Sequence, residues 1–223
     1  MDKTQTPYAD TNIVSAQKLS SEKQDRWLFK DISFSIKPGQ IFHIQGANGS
    51  GKTTLLRILC GLTRSDSGQV MWGDKPIAKQ HDQYHTQLSY VGHTDGIKQD
   101  LTVEENLHVA AVLAQGKQQN NHASNKLANL DATLKQVGLY KKKLTFAHAL
   151  SAGQRRRLAL ARCLLSDTSI WILDEPLTAL DSQGVALVEE LLETHTQRKG
   201  IAIVTSHQTL NISGAHYEVL NLS

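Results

Sequence analysis

The sequence predicts an α/β fold with a mainly parallel core sheet, a small antiparallel sheet toward the N-terminus and a helical insert subdomain. Three observations predict it. Apolar runs such as Ile41–Gln45, Ile170–Leu173 and Ile201–Thr205 alternate with stretches of helical periodicity, as strands do when helices cover both faces of their sheet. A glycine-rich stretch, Gly46-Ala-Asn-Gly-Ser-Gly-Lys-Thr53, sits between one such strand and an amphipathic helix. Residues 94–149 then turn polar and helical in pattern, interrupting the strand–helix alternation.

In chain order, Ile32–Ile36 alternates apolar and polar residues and ends in Lys37-Pro38-Gly39, a half-buried strand and a turn. Ile41–Gln45 is the next strand. The helix from Lys52 shows an apolar face of Leu55, Leu56, Ile58, Leu59 and Leu62, with Gly61 near its end. Gly68–Gly73 reads as a short strand that pairs with the N-terminal strands. Leu88–Val91 is another strand, and Gln115–Asn125, almost free of hydrophobes, reads as a surface loop inside the insert. The core resumes with a helix from Ser151, the strand Ile170–Leu173, a helix around Val185–Leu192 and the strand Ile201–Thr205. With 223 residues the chain suits one domain, taken as 11–223, with the insert spanning roughly 94–165.

Bulk properties narrow the function. A net charge of +3 is too mild for a nucleic-acid binder. No apolar run approaches the roughly 20 residues of a membrane span, and Met1–Asp10 lacks the apolar core of a signal peptide. Cys60 and Cys163 stand far apart in apolar helical runs, so they read as reduced core residues of a cytosolic chain. The ten histidines are scattered without ligand spacing, which argues against haem ligation by the chain itself.

Chemistry concentrates in three segments. Glycines at 46, 49 and 51 let successive backbone N–H groups approach a triphosphate, and the helix N-terminus behind them adds partial positive charge. Gly46, Ala47, Asn48, Gly49, Ser50, Gly51, Lys52, Thr53 and Thr54 are therefore the candidate ATP-binding residues, with Lys52 on the β/γ oxygens and Thr53 on Mg²⁺. Asp174 and Glu175 follow a buried strand at its carboxyl end, where open α/β sheets bind ligands. Asp174 is assigned to the Mg²⁺ shell and Glu175 to the attacking water. Leu150-Ser-Ala-Gly-Gln154 opens a helix with Ser151 as N-cap, a second anion site. A single phosphate tail does not need two such sites, so the second is expected to meet the nucleotide of another subunit.

In this order the motifs resemble those of the nucleotide-binding subunits of ABC transporters, over nearly the whole chain. The fold thus resembles a P-loop NTPase of ABC type. Ser151, Ala152, Gly153 and Gln154 resemble the signature loop, with Ala152 where glycine is commoner. Thr178-Ala-Leu-Asp181 resembles the D-loop that touches the partner subunit, and His207 the switch histidine that contacts the γ-phosphate and supports Glu175. A glutamine usual after the strand Leu88–Val91 is replaced by His93. Neutral imidazole can still accept a hydrogen bond or touch the metal shell, whereas imidazolium cannot, so His93 is a further Mg²⁺ candidate and activity is expected to fall on mild acidification.

The stretches Tyr90-Val-Gly-His93, Gly96-Ile-Lys98, Leu101-Thr102 and Glu105-Asn-Leu107 are similar to one subfamily, as are Trp171–Thr178 and Thr205-Ser-His-Gln208. That subfamily is the ATP-binding subunits of bacterial cytochrome c maturation, the so-called haem exporter. The resemblance implies an ATP hydrolase on the cytoplasmic face of the inner membrane. It also implies a second cassette as homodimer partner, integral membrane permease subunits, and an indirect tie to a haem chaperone. Haem export and release of the haem-loaded chaperone both fit. The nearest alternative is the ATPase of another small ABC exporter. A soluble ABC-type ATPase would carry a long coiled-coil insert or tandem cassettes, and a P-loop kinase would leave Leu150–Gln154 idle. Trp27 is the nearest aromatic for adenine, with sheet packing equally open. Lys141–Lys143 and Arg155–Arg157 are expected to form solvated faces.

Overall fold

The computed structural model describes Tyr8 and residues 12–115, 129–212 and 216–222. The described residues group into two compact units. The first comprises Met1–Tyr90, Ser169–Glu175 and Glu189–Ser223, and the second Val91–Thr168 with Pro176–Val188.

Two sheets build the first unit. Strands β1 (Val14–Lys23) and β2 (Arg26–Ile36) form a hairpin closed by Gln24 and Asp25, both at positive φ, 53° and 58°. Such a two-residue turn matches the right-handed twist of its strands. β1 pairs on its other edge with β4 (Ser67–Trp72), and β5 (Lys75–Pro76) extends β4, so the antiparallel order is β2-β1-β4-β5. The core sheet runs β6-β7-β8-β3-β9, from β6 (Leu88–Val91), β7 (Ile170–Asp174), β8 (Ile201–Thr205), β3 (Gln40–Gly46) and β9 (His216–Leu222). β7·β8, β3·β8 and β3·β9 are all parallel. Every residue of β7 and β8 is buried, as continuous apolar runs in a doubly covered sheet should be. β9 escapes sequence reading because five of its seven residues, His216–Val219 and Asn221, are exposed at the sheet edge and break the apolar pattern.

Helix α1 (Lys52–Leu59) lays Leu55, Leu56, Ile58 and Leu59 into the core formed with Phe42, Ile44, Ile172 and Ile203. Each such side chain contributes about 1.5–3 kcal/mol when fully buried. Leu62 does not join that face. The helix ends at Leu59, Gly61 turns the chain at φ +71°, and Leu62 is exposed. The short helix α2 (His81–Thr86) closes the end of α1: Tyr84 Oη donates to the Leu59 carbonyl at 2.8 Å, and His85 Nε2 bonds the Cys60 carbonyl at 2.7 Å. Two of the carbonyls that a helix end leaves over are thereby satisfied.

The second unit holds α3 (Val103–Gln115), α4 (Leu130–Gln136) and α5 (Ala152–Ser166), and the first turns of α6 (Ser182–Gln197), which continues into the first unit. Thr102 and Glu105 cap α3 reciprocally: Glu105 Oε2 accepts from the Thr102 amide at 2.7 Å, and Thr102 Oγ1 accepts from the Glu105 amide at 3.2 Å. Buried Asn106 accepts from the Lys98 amide and donates to the carbonyls of Lys98, Leu101 and Thr102. From residue 116 on, the loop expected at Gln115–Asn125 lies outside the described residues.

Candidate nucleotide site

The strand–loop–helix arrangement of β3 and α1 produces a concave backbone. Gly49 and Gly51 take φ of +83° and +95°, where a side chain would be strained. A Cβ on Gly51 would also stand 2.9 Å from Leu28 Cβ and 3.2 Å from Phe29 Cδ1. At Gly46 it would collide with the Leu222 carbonyl and stand 2.5 Å from Ser50 Oγ. The first α1 bond runs from the Leu55 amide to the Gly51 carbonyl at 2.8 Å. The amides of Lys52, Thr53 and Thr54 precede it and have no carbonyl one turn back to bond, so they open toward the loop. Ser50 Oγ is buried without a hydrogen-bond partner among the described residues. Lys52, only 8% exposed, folds its ammonium back onto the carbonyls of Gly46 at 2.8 Å and Ala47 at 3.2 Å. Asn48 and Ala47 are exposed at the rim.

Asp174 ends β7 at 2% exposure, and each oxygen of its carboxylate accepts from a hydroxyl. Thr53 Oγ1 donates to Oδ2 at 2.9 Å, and Thr205 Oγ1 donates to Oδ1 at 2.7 Å. Glu175 follows in the left-handed region at φ +53°, a cost of about 1–2 kcal/mol for a non-glycine residue. Its amide is held by Thr205 Oγ1 at 2.9 Å and by the Thr205 carbonyl at 3.1 Å. That turn leaves the Glu175 side chain largely enclosed, with Oε1 3.5 Å from Nε2 of the half-exposed His207. Gly46–Thr54, Asp174, Glu175 and His207 are all in the first unit. Thr205 is the residue that sequence reading passed over. Its signal was available, since a hydroxyl closing an otherwise aliphatic buried strand needs a polar partner.

A hard cation is the natural complement of this donor set. Thr53 and Asp174 present oxygens side by side, without thiolate or imidazole, which suits Mg²⁺. Among the described residues no group of three or more His, Cys, Asp or Glu could hold a metal ion.

The second unit carries the remaining candidates. Ser151 is the N-cap of α5 in a full capping box: its hydroxyl accepts from the Gln154 amide at 3.2 Å, and Gln154 Oε1 accepts from the Ser151 amide at 3.1 Å. Ala152 is exposed, while a Cβ on Gly153 would stand 2.6 Å from the Ala179 carbonyl. Asp181 accepts from the Gly184 amide at 2.8 Å, fixing the start of α6. His93 is exposed and makes no hydrogen bond among the described residues. The arginine run is not a solvated face. Arg156 is buried and donates to the Gly92 carbonyl at 2.8 Å, and Arg155 pairs with Asp95 at 3.6 Å and donates to the Leu150 carbonyl. Three arginines in a row put one on the inner face of α5, where loop carbonyls need donors. Trp27 is exposed rather than packed, with Lys30 Nζ 5.4 Å above its ring.

A phosphate-binding backbone, a buried aspartate and an enclosed glutamate at the carboxyl end of a parallel sheet define a P-loop nucleotide-binding protein. Residues 29–178 match the ABC transporter family model, and the chain belongs to the ATP-binding proteins of that family. Within it the chain is CcmA-like. It is 44% identical over 210 residues to the cytochrome c biogenesis ATP-binding export protein CcmA of Nitrosococcus oceani, covering 94% of this chain and 92% of that one. It is 40% identical over 211 residues to the protein of the same name from Escherichia coli K12, covering 95% and 97%. Among solved structures, an ABC transporter ATP-binding protein from Pyrococcus furiosus superposes with a TM-score of 0.77 at 26% identity, covering 94% of this chain and 97% of that one. An ATP-binding subunit of an ABC transporter gives 0.75 at 22% identity, covering 87% and 80%, a likeness of fold. Among the described residues no helix is long and apolar enough to cross a membrane.

Proposed function

We propose that this ABC ATPase is the hydrolytic subunit of an inner-membrane export complex for biogenesis of c-type cytochromes, bound at the cytoplasmic face through permease subunits. Residues 11–223 act as one ATP-binding domain, and two copies pair so that each Gly46–Thr54 loop faces the Ser151–Gln154 loop of the other. The ATP cycle drives haem export or release of the haem-loaded chaperone. The observation that carries the hydrolytic reading is the hydrogen-bonded run Thr53–Asp174–Thr205–Glu175 beside the glycine loop.

The loop amides and Lys52 bind the β- and γ-phosphates. Thr53 and Asp174 would hold Mg²⁺, which when bound neutralises phosphate charge. Glu175 orients the attacking water and takes its proton, and His207 holds the Glu175 carboxylate and the γ-phosphate in register. Gly153 keeps the partner loop close-packed, and Asp181 meets the second copy. These groups act by placement and fixed charge, so most of the acceleration is electrostatic and positional.

Glu175→Gln tests this. Nucleotide affinity should stay within about twofold and hydrolysis fall by roughly 10²-fold or more, the share of a general base, with ATP trapping a dimer. Normal turnover would remove Glu175 from the role assigned to it. In a deletion strain, the wild-type gene should restore covalent haem on c-type cytochromes and the variant should not. Normal cytochromes in the deletion itself would exclude the biogenesis role and leave the ATPase.

A further inference from the structure

His43 lies in the middle of β3 with no exposed surface, in register with Val204 of β8 on one side and Val219 of β9 on the other. The nucleotide site uses none of its atoms, yet a fully buried imidazole is costly unless its nitrogens are satisfied. Nε2 lies 3.1 Å from the Ser206 carbonyl oxygen. Nδ1 hydrogen-bonds the Tyr217 hydroxyl and stands 3.2 Å from the Gln45 side-chain nitrogen. A carbonyl oxygen only accepts, so Nε2 carries the proton and Nδ1, in the neutral ring, accepts from Tyr217 and Gln45. Burial lowers the His43 pKa, outweighing the Ser206 carbonyl and the negative charge of Glu175, both of which raise it. The ring is thus held neutral, in one tautomer and one orientation.

Its donor points at a consequential place. Three successive residues leave β8, and each is tied differently. Thr205 binds Asp174 and the Glu175 amide, Ser206 is held by His43, and His207 reaches Glu175. Ser206 Oγ also accepts from the Gln208 amide at 2.9 Å, closing the turn around His207. His43 stands three residues before Gly46 on the strand that delivers the phosphate loop. One imidazole therefore joins the strand behind the phosphates to the backbone that aims His207.

We propose that His43 is a positioning residue for ATP hydrolysis, its Nε2–H fixing the Ser206 carbonyl so that His207 keeps its place beside Glu175. The proposal deepens the hydrolytic reading above and rests on the roles given there to His207 and Glu175. His43 touches no reacting atom, so it governs turnover and leaves nucleotide affinity alone.

Steady-state ATPase kinetics on the full chain test this with His207→Ala, His43→Leu, His43→Gln, Tyr217→Phe and the His43→Leu/His207→Ala double variant. His43→Leu keeps the volume and removes the donor; kcat should fall about tenfold, one buried hydrogen bond's worth of positioning, with KM for ATP within about twofold. His43→Gln, whose amide nitrogen takes roughly the place of Nε2, should recover kcat to within about threefold of wild type. In the His207→Ala background, His43→Leu should cost nothing further, since the group it aims is gone. Tyr217→Phe, at the sheet edge, should give a smaller fall in kcat with KM unchanged, and it carries the test should His43→Leu fail to fold. Unchanged kcat in these variants, equal losses for Leu and Gln, or full additivity with His207→Ala would overturn the proposal. Wild-type turnover by His207→Ala would instead remove the His207 role, and this proposal with it.

Discussion

Thr205→Val tests the joint between the two carboxylates. Valine matches threonine in shape, so the fully buried site keeps its packing and loses only the hydroxyl. Two hydrogen bonds go with it, the 2.7 Å donation to Asp174 Oδ1 and the 2.9 Å acceptance from the Glu175 amide. They are unequal. The Glu175 amide retains the Thr205 carbonyl at 3.1 Å, so its loss is small. Asp174 Oδ1 loses a donor to a charged acceptor at 2% exposure, worth about 1.5–3 kcal/mol. A destabilisation of about 2 kcal/mol follows, and for a chain of this size that lowers Tm by about 4–8 °C. Thermal unfolding by circular dichroism measures it. The same change frees the Glu175 turn, so kcat should fall while nucleotide still binds through the untouched glycine loop. Wild-type Tm together with wild-type kcat would refute the reasoning, because a satisfied buried carboxylate cannot lose a donor without cost.

Other outcomes follow from single positions. Gly51→Ala places a Cβ 2.9 Å from Leu28 Cβ at a φ of +95°, so strain and overpacking of about 1–3 kcal/mol each should appear as lowered stability and weakened ATP binding; wild-type affinity by calorimetry would show that the loop tolerates a methyl group. Burial pushes the Cys60 thiol pKa far up, and Cys163 is buried too, so neither should react with a thiol reagent at pH 8 until the chain is unfolded. Fast labelling of the native protein would count against that packing.

What could be read from the sequence was whatever imposed a local pattern. The sequence bounds β8 as Ile201–Thr205 and β7 to within one residue, because a strand buried on both faces reads as a nearly continuous apolar run. Gly46–Thr53 was legible for the complementary reason, that a backbone wrapped around phosphate demands glycines at set places. Leu62 misled, since periodicity continues past a helix end that Gly61 enforces. His43 and Tyr217 escape sequence reading because their meaning is tertiary. His43 meets Tyr217 across 174 positions of sequence, and no local pattern registers that. The arginine run shows the same limit, for composition predicts solvent while the carbonyls of Gly92 and Leu150 supply partners.

The place of β3 between β8 and β9 bears on how the chain is made. Translation delivers the glycine loop early, yet both strands that flank β3 are encoded after residue 200. At 5–20 residues per second, about 155 residues of further synthesis occupy the ribosome for roughly 8–30 s. Throughout that interval Ile41, Phe42 and Ile44 form a β-prone segment with neither neighbour, a natural client for a holdase and a point of aggregation when expression is fast. Codons that slow the ribosome between the glycine loop and residue 200 would lengthen that exposure.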